Sequence, residues 1–95
     1  MTAYLIAKIN VTDMEQYKKY MAVSPDLIKK FGGRFIARGG EMVTLEGPEE
    51  TQRVVLIEFP SLERVKAFYN SAGYQEAKKL RQGAASAQFI VIEGV

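Results

Sequence analysis

Arg34-Phe-Ile-Ala-Arg-Gly-Gly-Glu-Met-Val-Thr-Leu-Glu-Gly-Pro-Glu-Glu-Thr-Gln-Arg-Val-Val-Leu-Ile-Glu-Phe59 is the stretch whose reading decides the fold. It reads as two long strands joined by a polar turn, with Gly39-Gly40 interrupting the first as a bulge or a close backbone approach. Glu46 to Glu50 is turn chemistry. Arg53 to Phe59 is the strongest strand of the chain. Val55, Ile57 and Phe59 share one of its faces; Val54, Leu56 and Glu58 share the other. A strand apolar on both sides is covered on both sides.

Ala3 to Val11 reads as a strand before this hairpin, with Leu5, Ala7, Ile9 and Val11 on one face and Tyr4, Ile6, Lys8 and Asn10 on the other. Thr12 with Glu15 forms a capping box, with Asp13 as the alternative cap. The helix that follows carries Met14, Tyr17 and Met21 at helical spacing. Ser24-Pro25 predicts a kink or a restart. Leu27, Ile28 and Phe31 continue the stripe, and Gly32-Gly33 ends it with one glycine left-handed.

Beyond the hairpin, Pro60-Ser61 caps a second helix through Leu62, Val65 and Phe68. Ser71-Ala72-Gly73 breaks it, Tyr74, Ala77 and Leu80 restart it, and Ala87 to Glu93 is the last strand. The order is strand, broken helix, strand, strand, broken helix, strand. Right-handed crossovers turn that order into an α+β, ferredoxin-like split βαβ fold. It has a four-stranded antiparallel sheet ordered 4-1-3-2 and both broken helices on one face. Residues 1–95 make one domain.

The helices leave one sheet face bare. Exposing Val54 and Leu56 there would forfeit roughly 3 kcal/mol. A second copy of the chain, sheet against sheet, is the natural cover, giving a homodimer with a barrel-like arrangement.

Composition narrows the chemistry. The chain has 95 residues, with 13 Lys and Arg against 11 Asp and Glu, a net charge of +2. The charges are interleaved, which disfavours nucleic acid. With no histidine and no cysteine, the usual structural zinc, thiol chemistry and histidine acid–base work are excluded. No cofactor and no metal are expected. No secretory leader or membrane span is legible, so no membrane partner is expected and the cytoplasm is the default location.

Glu58 is the first site candidate, because it interrupts an apolar strand face and a lone buried carboxylate is costly. A turn around residues 47–50 sets Arg38 nearly opposite it, where a guanidinium holds a carboxylate in a bidentate pair. Arg34 shares a face with Arg38 unless the chain bulges between them, and two guanidiniums suit an anionic carboxylate or enolate. Each has a plainer reading, as a structural ion pair or a solvated surface residue. Asn10, on the neighbouring strand, offers a neutral donor and acceptor or caps a strand end. The tyrosines read first as core or interface residues. Ser24 and Ser71 read as helix caps, since neither has an evident base.

The ordered set Phe31-Gly32-Gly33-Arg34-Phe35, Arg38-Gly39-Gly40, Leu45-Glu46-Gly47, Ile57-Glu58-Phe59-Pro60-Ser61 and Tyr69-x-Ser71-x-x-Tyr74 resembles the DUF1330 family, a domain of unknown function. The resemblance runs from Tyr4 to Gly94. It implies the dimeric α/β-barrel, ferredoxin-like architecture, whose superfamily includes cofactor-free monooxygenases, dehalogenating or isomerising enzymes and haem-degrading proteins. It puts the family's recurrent polar positions at Arg34, Arg38, Glu58, Ser61, Ser71 and Tyr74, and assigns none of them a catalytic role. Haem-degrading relatives use an axial histidine, which this chain lacks. The expected ligand site therefore comprises Arg34, Arg38, Glu58, Asn10, Ser71 and Tyr74, with Glu58 and Arg38 as catalytic candidates. Its ligand is a small, anionic organic molecule. A module whose only chemistry is self-association is the competing expectation, and nothing in the residues selects between binding and turnover.

Overall fold

A computed structural model describes all 95 residues. The chain runs β1 (Ala3–Val11), α1 (Met14–Lys30), β2 (Arg34–Arg38), β3 (Arg53–Phe59), α2 (Leu62–Asn70), α3 (Ala72–Lys79) and β4 (Ala85–Glu93). The strands form one antiparallel sheet ordered β2-β3-β1-β4, the order inferred above. Its alternation sorts odd-numbered positions of β1 and β3 to the helix side. There Leu5, Ala7, Ile9, Val55, Ile57 and Phe59 bury against Tyr17, Tyr20, Ile28, Val65, Phe68 and Tyr74.

The implied α/β barrel is not formed. The sheet is open: β2 and β4 are its two edges and do not pair. Four strands cannot curl far enough to meet, since a side-chain-filled barrel takes about eight. The fold is ferredoxin-like with an open sheet.

The first helix is not broken. Pro25 lies inside a continuous 17-residue α1, although proline removes one backbone donor. Tyr17, Tyr20, Ser24 and Ile28 are all buried along one stripe. A break would throw half of that stripe off the sheet. Ser24 is thus an interior residue and not a cap. Asp13 is the N-cap, its side chain accepting from the Gln16 amide. The Thr12 hydroxyl instead donates to the Ala84 carbonyl. The second helix does break as expected, at Ser71, which ends α2 and caps α3 by accepting from the Tyr74 amide.

β2 is much shorter than expected. It ends at Arg38, before Gly39 at φ +73°. Continuing the Arg38–Val55 register would set Met42–Leu45 against Pro48–Thr51. That partner starts at proline, which offers no donor, and continues through two glutamates, which are poor strand formers. Met42, Val43 and Leu45 therefore stay exposed in a loop. The irregularity also sits elsewhere, between Phe35 and Ala37, instead of at the glycine pair. At the other end of β2 the glycines behave as expected. Gly32 takes φ +85°, and a Cβ on Gly33 would lie 2.7 Å from Ile28 and 2.8 Å from Phe59.

The sheet face away from the helices carries a row of Ala37, Leu56, Ile6 and Ile90 across all four strands. Ile90 and Ile92 are exposed on it, at 50% and 60%. Two ion pairs bracket this face, Lys8–Glu50 and Arg34–Glu58. No helix is long and apolar enough to cross a membrane.

Candidate functional site

The bulge at Ile36 decides where the arginines point. Arg34 pairs with Glu58 across β2 and β3, while Arg38 pairs with Val55. One extra residue between them puts the two arginines on opposite faces of the sheet. Arg34 Nε donates to Glu58 Oε1 at 2.9 Å on the open face. Arg38 turns to the helix side, its guanidinium 4.0 Å from the centre of the Phe35 ring. The expected Arg38–Glu58 pair is therefore replaced by Arg34–Glu58. The Glu58 carboxylate raises the Arg34 pKa above its ordinary value through that hydrogen bond. Arg34 is largely exposed, and such pairs contribute little to stability.

The other expected residues do not join them. Asn10 is exposed and pairs with Ser86 of β4. It lies six residues along β1 from Tyr4, the partner of Glu58, a separation of about 20 Å. Ser71 is occupied at the joint of α2 and α3, donating to the Phe68 carbonyl at 2.7 Å. Tyr74 is wholly buried, its hydroxyl 2.8 Å from that of Tyr20.

What does assemble is a cavity of about 140 Å³ between α1 and the sheet. Its walls include Ala7, Ile9, Tyr17, Ile28, Phe35, Val55 and Ile57. α2 approaches β1 and β3 closely, and the space under α1 stays open. Polar atoms come from Tyr17, Tyr20, Ser24, Arg38 and Arg53. Arg53 is two positions from Val55, the partner of Arg38. The two arginines are thus diagonal neighbours on one face, about 7–8 Å apart and within reach of one small anion. Neither forms an ion pair.

Burial holds both pocket phenols in the neutral form. Desolvation, then the neighbouring Tyr74, pushes Tyr20 far above its ordinary value. Burial likewise raises Tyr17, against a smaller opposing pull from Arg53. Both are therefore hydrogen-bonding walls at neutral pH and not bases. Arg53 was missed in the sequence. The available signal was its parity: it shares a strand face with Val55, Ile57 and Phe59, the face that buries, and a cation starting such a row faces the helices.

A second cluster lies deeper. Arg81, only 9% exposed, places its guanidinium 5.5 Å from the Tyr20 ring centre and 5.0 Å from that of Phe89. Its Nη2 donates to the Tyr74 hydroxyl at 3.3 Å. Burial works against the charge, but the Tyr74 and Tyr20 phenols more than offset this and the Arg81 pKa is raised. No cluster of three or more carboxylate side chains forms anywhere in the chain.

A family profile described as "Domain of unknown function (DUF1330)" matches residues 2–95. No curated protein sequence matches the chain. Several solved structures share the fold. A protein of unknown function from Rhodopseudomonas palustris aligns with TM-score 0.79 at 22% identity, over 99% of this chain and 82% of that one. A dimeric ferredoxin-like protein of unknown function from Bacteroides fragilis aligns with TM-score 0.68 at 20% identity, over 98% and 96%. SnoaB, a cofactor-independent oxygenase from Streptomyces nogalater, aligns with TM-score 0.70 at 7% identity, over 99% and 93%. At these identities the likeness establishes the ferredoxin-like fold.

Proposed function

The chain belongs to the DUF1330 family, and from that premise we propose that it is a homodimeric protein binding a small, largely apolar molecule with one anionic group. The ligand's body sits under α1 and its anion faces Arg38 and Arg53. One observation carries this reading: two arginines without carboxylate partners stand on the wall of a mostly apolar cavity. Apolar cavities of about 150 Å³ accept a benzene ring, so about 140 Å³ suits a ring or a short branched chain. Glu58 lies on the other face of the sheet and takes no part in this site.

Benzoate and its neutral isostere benzamide test the reading by calorimetry. Benzoate is expected to bind more tightly. Replacing Arg38 and Arg53 together by glutamine weakens benzoate at least tenfold, the loss of charge-assisted contacts, and leaves benzamide unchanged. Equal affinity for the two probes, or an unaltered benzoate affinity in the double variant, overturns it.

Dimerisation rests on the bare apolar sheet face, on which Ile90 and Ile92 are exposed, and on the relative described as dimeric. The two faces meet with the Lys8–Glu50 and Arg34–Glu58 pairs at their margins. If no anion binds, self-association is the remaining function. Turnover is a second reading, favoured by the likeness to SnoaB, described as a cofactor-independent oxygenase. Oxygen uptake with a bound phenolic ligand checks it, and an electrode trace no steeper than the ligand's own autoxidation rules it out.

A further inference from the structure

Arg81 poses a problem that the cavity under α1 does not answer. Its side chain is nearly all buried, its Nε has no hydrogen-bond partner, and no carboxylate pairs with it. The Tyr74 and Tyr20 phenols and the ring faces of Tyr20 and Phe89 are its company. Buried guanidiniums are ordinarily neutralised, and an unsatisfied buried donor asks what is missing. The sheet suggests the answer. α2 packs on β4 as well as on β1 and β3, and a groove of about 430 Å³ stays open between α2 and this edge strand. Arg81 lines it, Lys66 and Lys78 stand beside it, and no acidic residue contributes. Neither lysine forms an ion pair; Lys78 donates only to the Tyr69 hydroxyl, at 2.9 Å. Phe89 and Val91 of β4 supply an apolar wall.

We infer that this groove, which shares only the Leu5 and Phe89 wall with the cavity under α1, is a second anion site in which Arg81, Lys66 and Lys78 hold the carboxylate or phosphate of a small organic acid lying along Phe89 and Val91. Three cations line one groove without a counter-charge, and the aromatic and aliphatic wall selects an anion with a body over a bare ion. The site is independent of Arg38 and Arg53, so it stands or falls apart from the function proposed above.

The test uses the Arg38→Gln/Arg53→Gln protein, which removes the charged wall of the first cavity. It is titrated with 1-naphthoate, 1-naphthyl phosphate and neutral 1-naphthamide. The anions are expected to bind at least tenfold more tightly than the amide, and whichever anion binds better names the headgroup. Adding Lys66→Gln and Lys78→Gln, both at the groove rim, is expected to reduce anion affinity at least tenfold. Arg81→Met separates a ligand contact from a structural brace. Removing an unpaired buried charge is expected to leave the melting temperature in anion-free buffer equal or higher, while the upward shift that naphthoate gives the parent disappears. Equal binding of anion and amide, or anion affinity surviving the lysine changes, overturns the inference. So does an Arg81→Met protein that folds and keeps its naphthoate shift. If Arg81→Met does not fold, the lysine variant alone decides.

Discussion

Truncating the two most exposed β4 isoleucines on the bare sheet face, Ile90→Ala with Ile92→Ala, should split the proposed dimer without harming the protomer. Each change deletes three carbons, at about 0.8 kcal/mol for each one buried. In a single chain the residues are 50% and 60% exposed, so a little over half of that value is gained only when a partner covers them. This is about 1 kcal/mol per residue. Two residues on each of two symmetric protomers then contribute about 4 kcal/mol to association, a Kd raised by roughly three orders of magnitude. Context lowers such figures two- to threefold, so a tenfold rise is the smallest effect compatible with the reasoning. Sedimentation equilibrium over nanomolar to micromolar protein measures it directly. Urea unfolding of the variant at the lowest concentration checks that the protomer persists. A wild type that stays monomeric at micromolar concentration, or a variant with an unchanged Kd, refutes the covered face.

Gly33→Ala should destabilise the protomer by about 1–3 kcal/mol, since its Cβ would meet Ile28 and Phe59 at 2.7 and 2.8 Å; urea midpoints measure this, and an unchanged midpoint would mean that the α1 terminus shifts freely. Ser71→Ala should cost about 1 kcal/mol, because that hydroxyl caps α3, read from the same unfolding curves. Arg34→Gln should leave the urea midpoint nearly unchanged at any salt, as expected of an exposed pair. Alkaline pH should unfold the protein through Tyr20, whose folded pKa is raised by burial. The folded state keeps a proton that the unfolded chain releases above its ordinary value of 10.0. This contribution is thus full below that pH and is lost progressively above it, by about 1.4 kcal/mol per pH unit. Tyr20→Phe should show a shallower fall of stability between pH 10 and 12, and parallel slopes would contradict the assignment.

Much of this fold was legible because its signals are local and periodic. The alternation of Ala3–Val11 and Arg53–Phe59 fixed both strands and their faces, and Ser61 and Ser71 marked helix starts through side chains that reach only three residues along. What failed was relational. A run such as Met42–Leu45 looks like a strand whatever opposes it, and its opposite number is Pro48–Thr51, opening on a proline and two glutamates and ill-suited to pairing. The bulge at Ile36 leaves no mark in composition, yet it reverses Arg38 and hands Glu58 to Arg34. Pro25 announced a break that the common burial of Tyr20, Ser24 and Ile28 overrode. The α/β barrel was expected from the bare sheet face and from the resemblance alike, and the unpaired edges β2 and β4 correct it. Of the expected site, Arg38 alone lines the cavity under α1; its companion, Arg53, was readable only by counting parity along β3.

Intermolecular nuclear Overhauser contacts between bound benzoate and the protein's methyl groups test the central claim most directly. The account predicts contacts from the ring protons to Ala7, Ile28 and Val55 in the wild type. Those contacts should vanish at the same benzoate concentration once Arg38 and Arg53 are both glutamine. Contacts confined to Val65 and Val91, or to Ile90 and Ile92 on the opposite face, would put the ligand elsewhere and contradict it.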